Sequence, residues 1–384
     1  MGYKPLSWSL HSIAIALAFV ALAVITQPAY AIVIYENDFE DDPVGVYTTG
    51  NLAADWHSPP WSNGVSEGRV SITDDADAYG SKSLVVTYPE GQSASGKSQW
   101  WLEFDQGYEE LFLSYRLRFD EGFNYVLGGK LPGLCGGACN TGGDKPTGYD
   151  GWSARMMWRT GNWSATPGGS DKGDIVQYVY HPDQPTQFGE DLRWDDGATP
   201  GWREFEPDRW YHLQHRVVMN TPGIADGVIQ GWLDGELVLD VQDIRFREIS
   251  SIQIDAMNFS TFFGGNSEIW EAVKDEQAYF DDFVVSTAFI PTGDYNRDGV
   301  VDVADYTVWR DAYGSTTSLA ADGNGDGAVD IDDYLLWNEA FTGTSSAASV
   351  SAFAAVPEPA LGPLLIAAIA ATCSLTTRRE ASRR

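Results

Sequence analysis

Between residues 32 and 290, hydrophobic and polar positions alternate with a period of two. Leu111, Leu113, Tyr115, Leu117 and Phe119 interleave with Phe112, Ser114, Arg116 and Arg118, the pattern of a strand with one buried face. Val228–Leu233 and Glu236–Val241 flank Asp234-Gly235, a pair that tolerates the positive φ of a tight hairpin. Long runs of helical period are missing. Strands broken by turns over this length predict an all-β domain, a two-sheet sandwich of jelly-roll type.

The alternation also sorts side chains onto faces. In Gly151–Arg159, Trp152, Ala154, Met156 and Trp158 point one way, and Ser153, Arg155, Met157 and Arg159 the other. In Asp174–His181, Tyr178 and Tyr180 share a face opposite Gln177 and Val179. Two strands therefore each offer a polar face, one basic and one phenolic.

Outside this domain the pattern changes three times. Residues 1–31 read as a secretory signal: Lys4, an apolar run from Ile13 to Ile25, and the small-residue site Ala29-Tyr30-Ala31. Residues 291–343 contain a repeat at a period of 28. Its first copy places Asp294, Asn296, Asp298, the Val300 carbonyl, Asp302 and Asp305 at loop positions 1, 3, 5, 7, 9 and 12, with Gly299 at the sharp turn. Its second copy places Asp322, Asn324, Asp326, the Ala328 carbonyl, Asp330 and Asp333 likewise, with Gly327. That spacing supplies the oxygen density a hard cation needs, so two Ca2+ ions are expected as cofactors. A short helix follows each loop, carrying Trp309 and Tyr313 in one copy, Trp337 and Phe341 in the other. Residues 344–356 read as a linker. In 357–384, Pro357-Glu358-Pro359 precedes an apolar stretch, Ala360–Leu375, and then Arg378, Arg379, Arg383 and Arg384. The tail reads either as a sorting signal or as a stop-transfer anchor, and on both readings the bulk of the protein is expected outside the inner membrane, exported and either secreted or surface-associated.

Composition narrows the classes. The 384 residues include 43% hydrophobic positions and 15 Trp, which excludes disorder throughout. Lys and Arg total 24 against 55 Asp and Glu, a net charge of −31, the wrong sign for a nucleic-acid binder. Within residues 32–290 there are 42 acids and 17 bases, yet 122–143 and 151–170 contain no acid at all and hold Lys130, Arg155 and Arg159. Acid-free basic stretches in an acidic domain point to a local anion site. Of the three Cys, Cys135 and Cys139 suit a small loop disulfide in an oxidising compartment, while Cys373 falls in the tail. His212 and His215 lie on opposite faces of one strand, and the second reads as packed rather than catalytic. The adjacent Trp100 and Trp101 suit either sugar stacking or core packing.

Three resemblances follow from these residues. Leu127–Leu134 around Lys130, Ser153–Arg159 and Tyr178-Val179-Tyr180, with Ser260–Gly265 and Tyr279–Phe283 downstream, resemble polysaccharide lyase family 14. That resemblance implies a jelly-roll lyase acting by β-elimination on an anionic polysaccharide, alginate in most members and glucuronan in close relatives, with no cofactor in catalysis. It implies Lys130, Ser153, Arg155, Tyr178 and Tyr180 as the catalytic group. Arg159, Arg116 and Arg118 are the expected substrate-binding cations. Lys130 is the expected base with one tyrosine as acid, although the residues alone leave either Lys or Tyr as base. The Cys135–Cys139 loop departs from the family pattern and bears on substrate preference. Residues 292–343 resemble a type I dockerin, which implies a cohesin domain as partner. The tail resembles a PEP-CTERM signal, which implies export and sorting machinery. The rivals are a non-catalytic carbohydrate-binding sandwich and a structural envelope protein.

Overall fold

The computed structural model describes residues 31–74, 82–160, 170–195, 203–316, 318, 320–323 and 328–348. The expected signal segment, apart from Ala31, and the whole expected sorting tail lie outside the described residues, as does the linker beyond Ala348.

Two antiparallel sheets form a sandwich, as the period-two pattern predicts. One runs β15 (Glu236–Ile244), β14 (Gly227–Leu233), β13 (Tyr211–Val218), β7 (Glu110–Phe119), β17 (Glu276–Ser286), β5 (Lys82–Tyr88), β4 (Val70–Asp74) and β2 (Gly45–Val46), with β1 (Val33–Asn37) also paired to β17. The other runs β11 (Glu190–Arg193), β10 (Gly173–Tyr180), β9 (Gly151–Arg159), β8 (Gly128–Gly137), β16 (Ile254–Phe263), β6 (Ser98–Tyr108) and β3 (Ser62–Asn63), with β12 (Glu204–Phe205) on β10. A short helix, α1 (Thr49–Asp55), starts where Thr48 Oγ1 accepts the Asn51 amide and Asn51 Oδ1 accepts the Thr48 amide, a reciprocal cap. The predicted hairpin is present: Leu233 pairs with Glu236 across Asp234 (φ 51°) and Gly235 (φ 83°).

The core fills the space between the sheets. Leu111, Leu113, Tyr115, Leu117 and Phe119 of β7 meet Trp152, Ala154, Met156 and Trp158 of β9 within one buried cluster. Trp100 stacks on Phe259 with centroids 4.0 Å apart, so of the two adjacent tryptophans it is the core residue. His215 shares the inward face of β13 with Leu213 and Val217, and burial drops its pKa to about 3, leaving it neutral. Burying the inner faces fixes the outer ones, because a pleated strand has only two.

After the sandwich come α2 (Val303–Ala312) and α3 (Ile331–Ala348), the latter running into the stretch expected as linker. Asp302 caps α2, its carboxylate accepting the Ala304 amide at 2.7 Å. The repeat is reciprocal in space. Trp309 Nε1 donates to the Asp330 carbonyl at 2.7 Å, and Trp337 Nε1 donates to the Asp302 carbonyl at 2.8 Å. Each helix is thus pinned to the other copy's loop. Tyr295, Val301, Ala321, Val329 and Trp337 form a small core of their own.

Candidate active site

The outer face of the second sheet gathers the candidate residues from three neighbouring strands. In the β9–β10 register Arg155 lies opposite Tyr178, and Ser153 opposite Tyr180; in β8–β9, Lys130 lies opposite Met157. A bulge between Lys130 and Gly133 shifts the register of β8 against both β9 and β16. Two glycines let the chain pass closely here. A Cβ on Gly133 would sit 2.2 Å from the Ala154 carbonyl oxygen, and one on Gly264 would crowd Lys130 Nζ at 3.2 Å.

Lys130 is 8% exposed, with Nζ 3.0 Å from Met157 Sδ and 4.2 Å from the Tyr178 ring centroid. Among the described residues no carboxylate forms an ion pair with it. Burial, with the Arg159 and Arg155 guanidinium groups beside it, holds its pKa well below the usual lysine value. A lysine so placed offers a neutral amine closer to physiological pH. Tyr178 moves the other way: burial first, then the neighbouring Tyr180, raises its pKa, so the phenol keeps its proton. The two rings stand edge-on, 5.5 Å apart. The amine is thereby more easily deprotonated than a free lysine and the phenol more firmly protonated than a free tyrosine.

The cations differ in how they are held. Arg159 makes a two-pronged ion pair with Asp191 at 3.1 Å on each prong, and lies 5.3 Å from the Tyr178 ring and 5.6 Å from that of Trp270. Arg155 donates to Ser260 Oγ at 3.4 Å and forms no ion pair among the described residues. Ser153 is fully buried, its hydroxyl donating to the Asn140 carbonyl at 2.6 Å. It anchors the loop that follows β8. The same loop supplies the Gly143 amide, which donates to Tyr180 Oη at 2.9 Å. At the loop's root Cys135 and Cys139 form the expected disulfide.

The structure separates two expected binding residues from this group. Arg116 and Arg118 belong to β7, in the other sheet, with side chains on its outer face. Arg116 sits 3.7 Å from Asp282, and Arg118 sits 3.3 Å from Asp208 and 4.3 Å from the Tyr279 ring. Alternation placed them outward correctly, but their sheet is the wrong one for the site. Conversely, Asp191, Met157 and Trp270 were not singled out as members of the site. Asp191 follows Glu190 in a short acidic strand, and only the β10–β11 register, which sets it opposite Tyr178, brings it to Arg159.

The site is thus a buried lysine, two guanidinium groups and two phenols on one face of a β-sandwich, a set suited to an anionic ligand. The polysaccharide lyase 14 family profile matches residues 76–283, more than half of the chain. The chain belongs to this family and is a polysaccharide lyase. The solved alginate lyase Aly36B is 28% identical, covering 66% of this chain and 96% of its own, with a TM-score of 0.55. The PL-14 alginate lyase from Aplysia kurodai is 22% identical, covering 67% of this chain and 99% of its own, with a TM-score of 0.54, and shows the same fold. No curated protein matches the chain.

Proposed function

We propose that the chain is an exported alginate lyase that cleaves its polymer by β-elimination. Arg155 meets the C6 carboxylate of the uronate, which acidifies the C5 proton. The neutral Lys130 amine takes that proton. The C5 electron pair then forms the C4=C5 double bond, the bond from C4 to the glycosidic oxygen breaks, and Tyr178 protonates the departing oxygen. Burial, then Arg159, fixed by Asp191, and Arg155 lower the Lys130 pKa and so favour the neutral amine. The observation that carries this reading is Lys130, buried beside two guanidinium groups and against the face of a protonated phenol.

The choice of alginate rests on resemblance to Aly36B. That protein has been solved with an alginate tetrasaccharide bound after a lysine and a tyrosine were changed to alanine. The test offers alginate, its two homopolymer blocks, glucuronan and pectin separately, and follows the ultraviolet absorbance of the unsaturated uronate. Signal on alginate, lost in Lys130→Ala, supports the reading. Signal on glucuronan alone moves the substrate to that polymer. Binding without signal leaves a non-catalytic carbohydrate-binding sandwich.

For residues 291–343 we propose a calcium-loaded, dockerin-like module with a cohesin partner. Asp294 and Asp305 are buried in the first loop. Asp294 accepts the Asp298 and Gly299 amides, and Asp305 accepts the Asn296 and Asp302 amides, so the loop folds around these carboxylates. Among the described residues no three His, Cys, Asp or Glu side chains converge as a metal site. The expected ligand set adds Asn296 and the Val300 carbonyl in the first loop. In the second, Asn324 and Asp326 lie outside the described residues. Calcium titration of chelator-treated protein, expected to show two sites and a raised Tm, tests the module. Export is checked by fractionating cells that express the full chain.

A further inference from the structure

We propose that Trp61 and Trp101 form a second carbohydrate subsite, an aromatic platform that takes a sugar unit of the bound polymer remote from the scissile bond. This extends the lyase reading above and rests on it. The sheet register supplies the argument. Tyr178 lies opposite Arg155, Arg155 opposite Gly133, Gly133 opposite Asn258, and Asn258 opposite Trp101. Ser62 pairs with Trp100, so Trp61 falls opposite Trp101 at the end of the same row. One line of residues, perpendicular to the strands, therefore joins the proton-transfer group to the tryptophan pair. From the strand of Arg155 to that of Trp101 is three strand spacings, about 14 Å, which is several sugar units rather than one.

The pair is built for contact with a ligand. Trp100, one residue away, is fully buried against Phe259, whereas Trp61 is 37% exposed and Trp101 half-buried on the opposite face. The Trp61 and Trp101 rings meet edge-to-face, centroids 5.4 Å apart and planes at 70°. Such a pair offers a flat apolar face to the C–H side of a pyranose. Trp101 packs on the Cys135–Cys139 disulfide, and Asn258 Nδ2 reaches Cys139 Sγ at 3.6 Å. The disulfide thus props the platform from the side nearer Lys130. The exposed Glu103 shares this face of β6 two residues beyond Trp101, so recognition there works by stacking, with the sugar carboxylate turned away.

Binding energy gathered far from the reacting bond appears only for substrates long enough to reach it. The test uses the full chain with Trp61→Ala and Trp61→Phe, chosen because Trp61 is the exposed member. Unsaturated product is followed on polymeric alginate and on an alginate trisaccharide. In Trp61→Ala the polymer KM is expected to rise about 3- to 10-fold with kcat nearly unchanged, with the trisaccharide unaffected and most of the loss restored by Phe. An unchanged polymer KM overturns the subsite, and so does an equal change on the trisaccharide. Wild-type protein silent on every polyuronate would sink the lyase reading alone. Polymer quenching of tryptophan fluorescence then decides the subsite: loss of quenching in Trp61→Ala supports it, and unaltered binding overturns it.

Discussion

The outer faces of the two sheets both carry arginines at alternate strand positions, and they treat them differently. On the first sheet Arg116, Arg118 and Arg216 meet Asp282, Asp208 and Glu110, and Arg118 also stacks on Tyr279. Those cations neutralise an acidic surface. On the second sheet Arg155 and Lys130 form no ion pair among the described residues, and Arg159 pairs with Asp191. The same residue type on the same pleat is ion-paired at all three positions on the first sheet, whereas on the second Arg155 is left without an acid among the described residues, as the proposed chemistry needs. What separates the two is the local charge balance, which leaves a buried amine to shed its proton.

The largest expected contrast comes from removing one cation on each face. Lys130→Ala should lower kcat by at least ~10³-fold with an unchanged circular dichroism spectrum, since it deletes the proposed base. Arg118→Ala should leave kcat within ~2-fold and cost about 1 kcal/mol of stability, read by denaturant melts, because it removes an ion pair and a ring contact. Equal losses of activity in the two variants would end the distinction. Next in size, Tyr178→Phe removes only a hydroxyl and should lower kcat ~10²-fold, while Tyr180→Phe should cost less. The reverse order would move the acid to Tyr180, whose oxygen is held by the Gly143 amide.

The pH dependence sharpens the comparison further. The folded pKa of Lys130 lies below its unfolded value of ~10.4, so the unfolded chain binds more protons within that window. Stability should therefore fall as pH drops from ~10.4 toward the folded pKa and level off below it, a slope that Lys130→Met should remove from urea melts. The acid limb of kcat/KM should follow the same folded pKa. Asp191 opposes the shift, so Asp191→Asn should move that limb to lower pH; movement upward would contradict the assignment. Smallest of all, Arg216→Ala breaks a partly exposed pair with Glu110 and should cost no more than ~1 kcal/mol, with activity intact.

Much of the site was legible because strand parity is a local property. Given that Trp152 and Trp158 face inward, Arg155 and Arg159 must face outward, and the Tyr178 and Tyr180 pair follows by the same rule on β10. Parity could not say whether Trp100 or Trp101 belongs to the core; burial against Phe259 decided it. Nor could it keep Arg116 and Arg118 out of the site, since a strand does not record which sheet it joins. Ser153 was expected in the catalytic group; that its hydroxyl donates to the Asn140 carbonyl, in the loop after β8, was not legible from parity.

By itself, then, the amino-acid sequence determined the alternation, the hairpin at Asp234-Gly235, the 28-residue repeat and the acid-free basic segments, all properties of neighbours along the chain. Tertiary structure decided which strands lie side by side. It brought Asp191 to Arg159, Met157 and Tyr178 to Lys130, and Trp61 to Trp101. Those contacts rest on pairing between strands distant in sequence, set by burial of the common core. The pKa of Lys130 belongs to the same category, since burial and the guanidinium groups around it exist only once the sheet has formed.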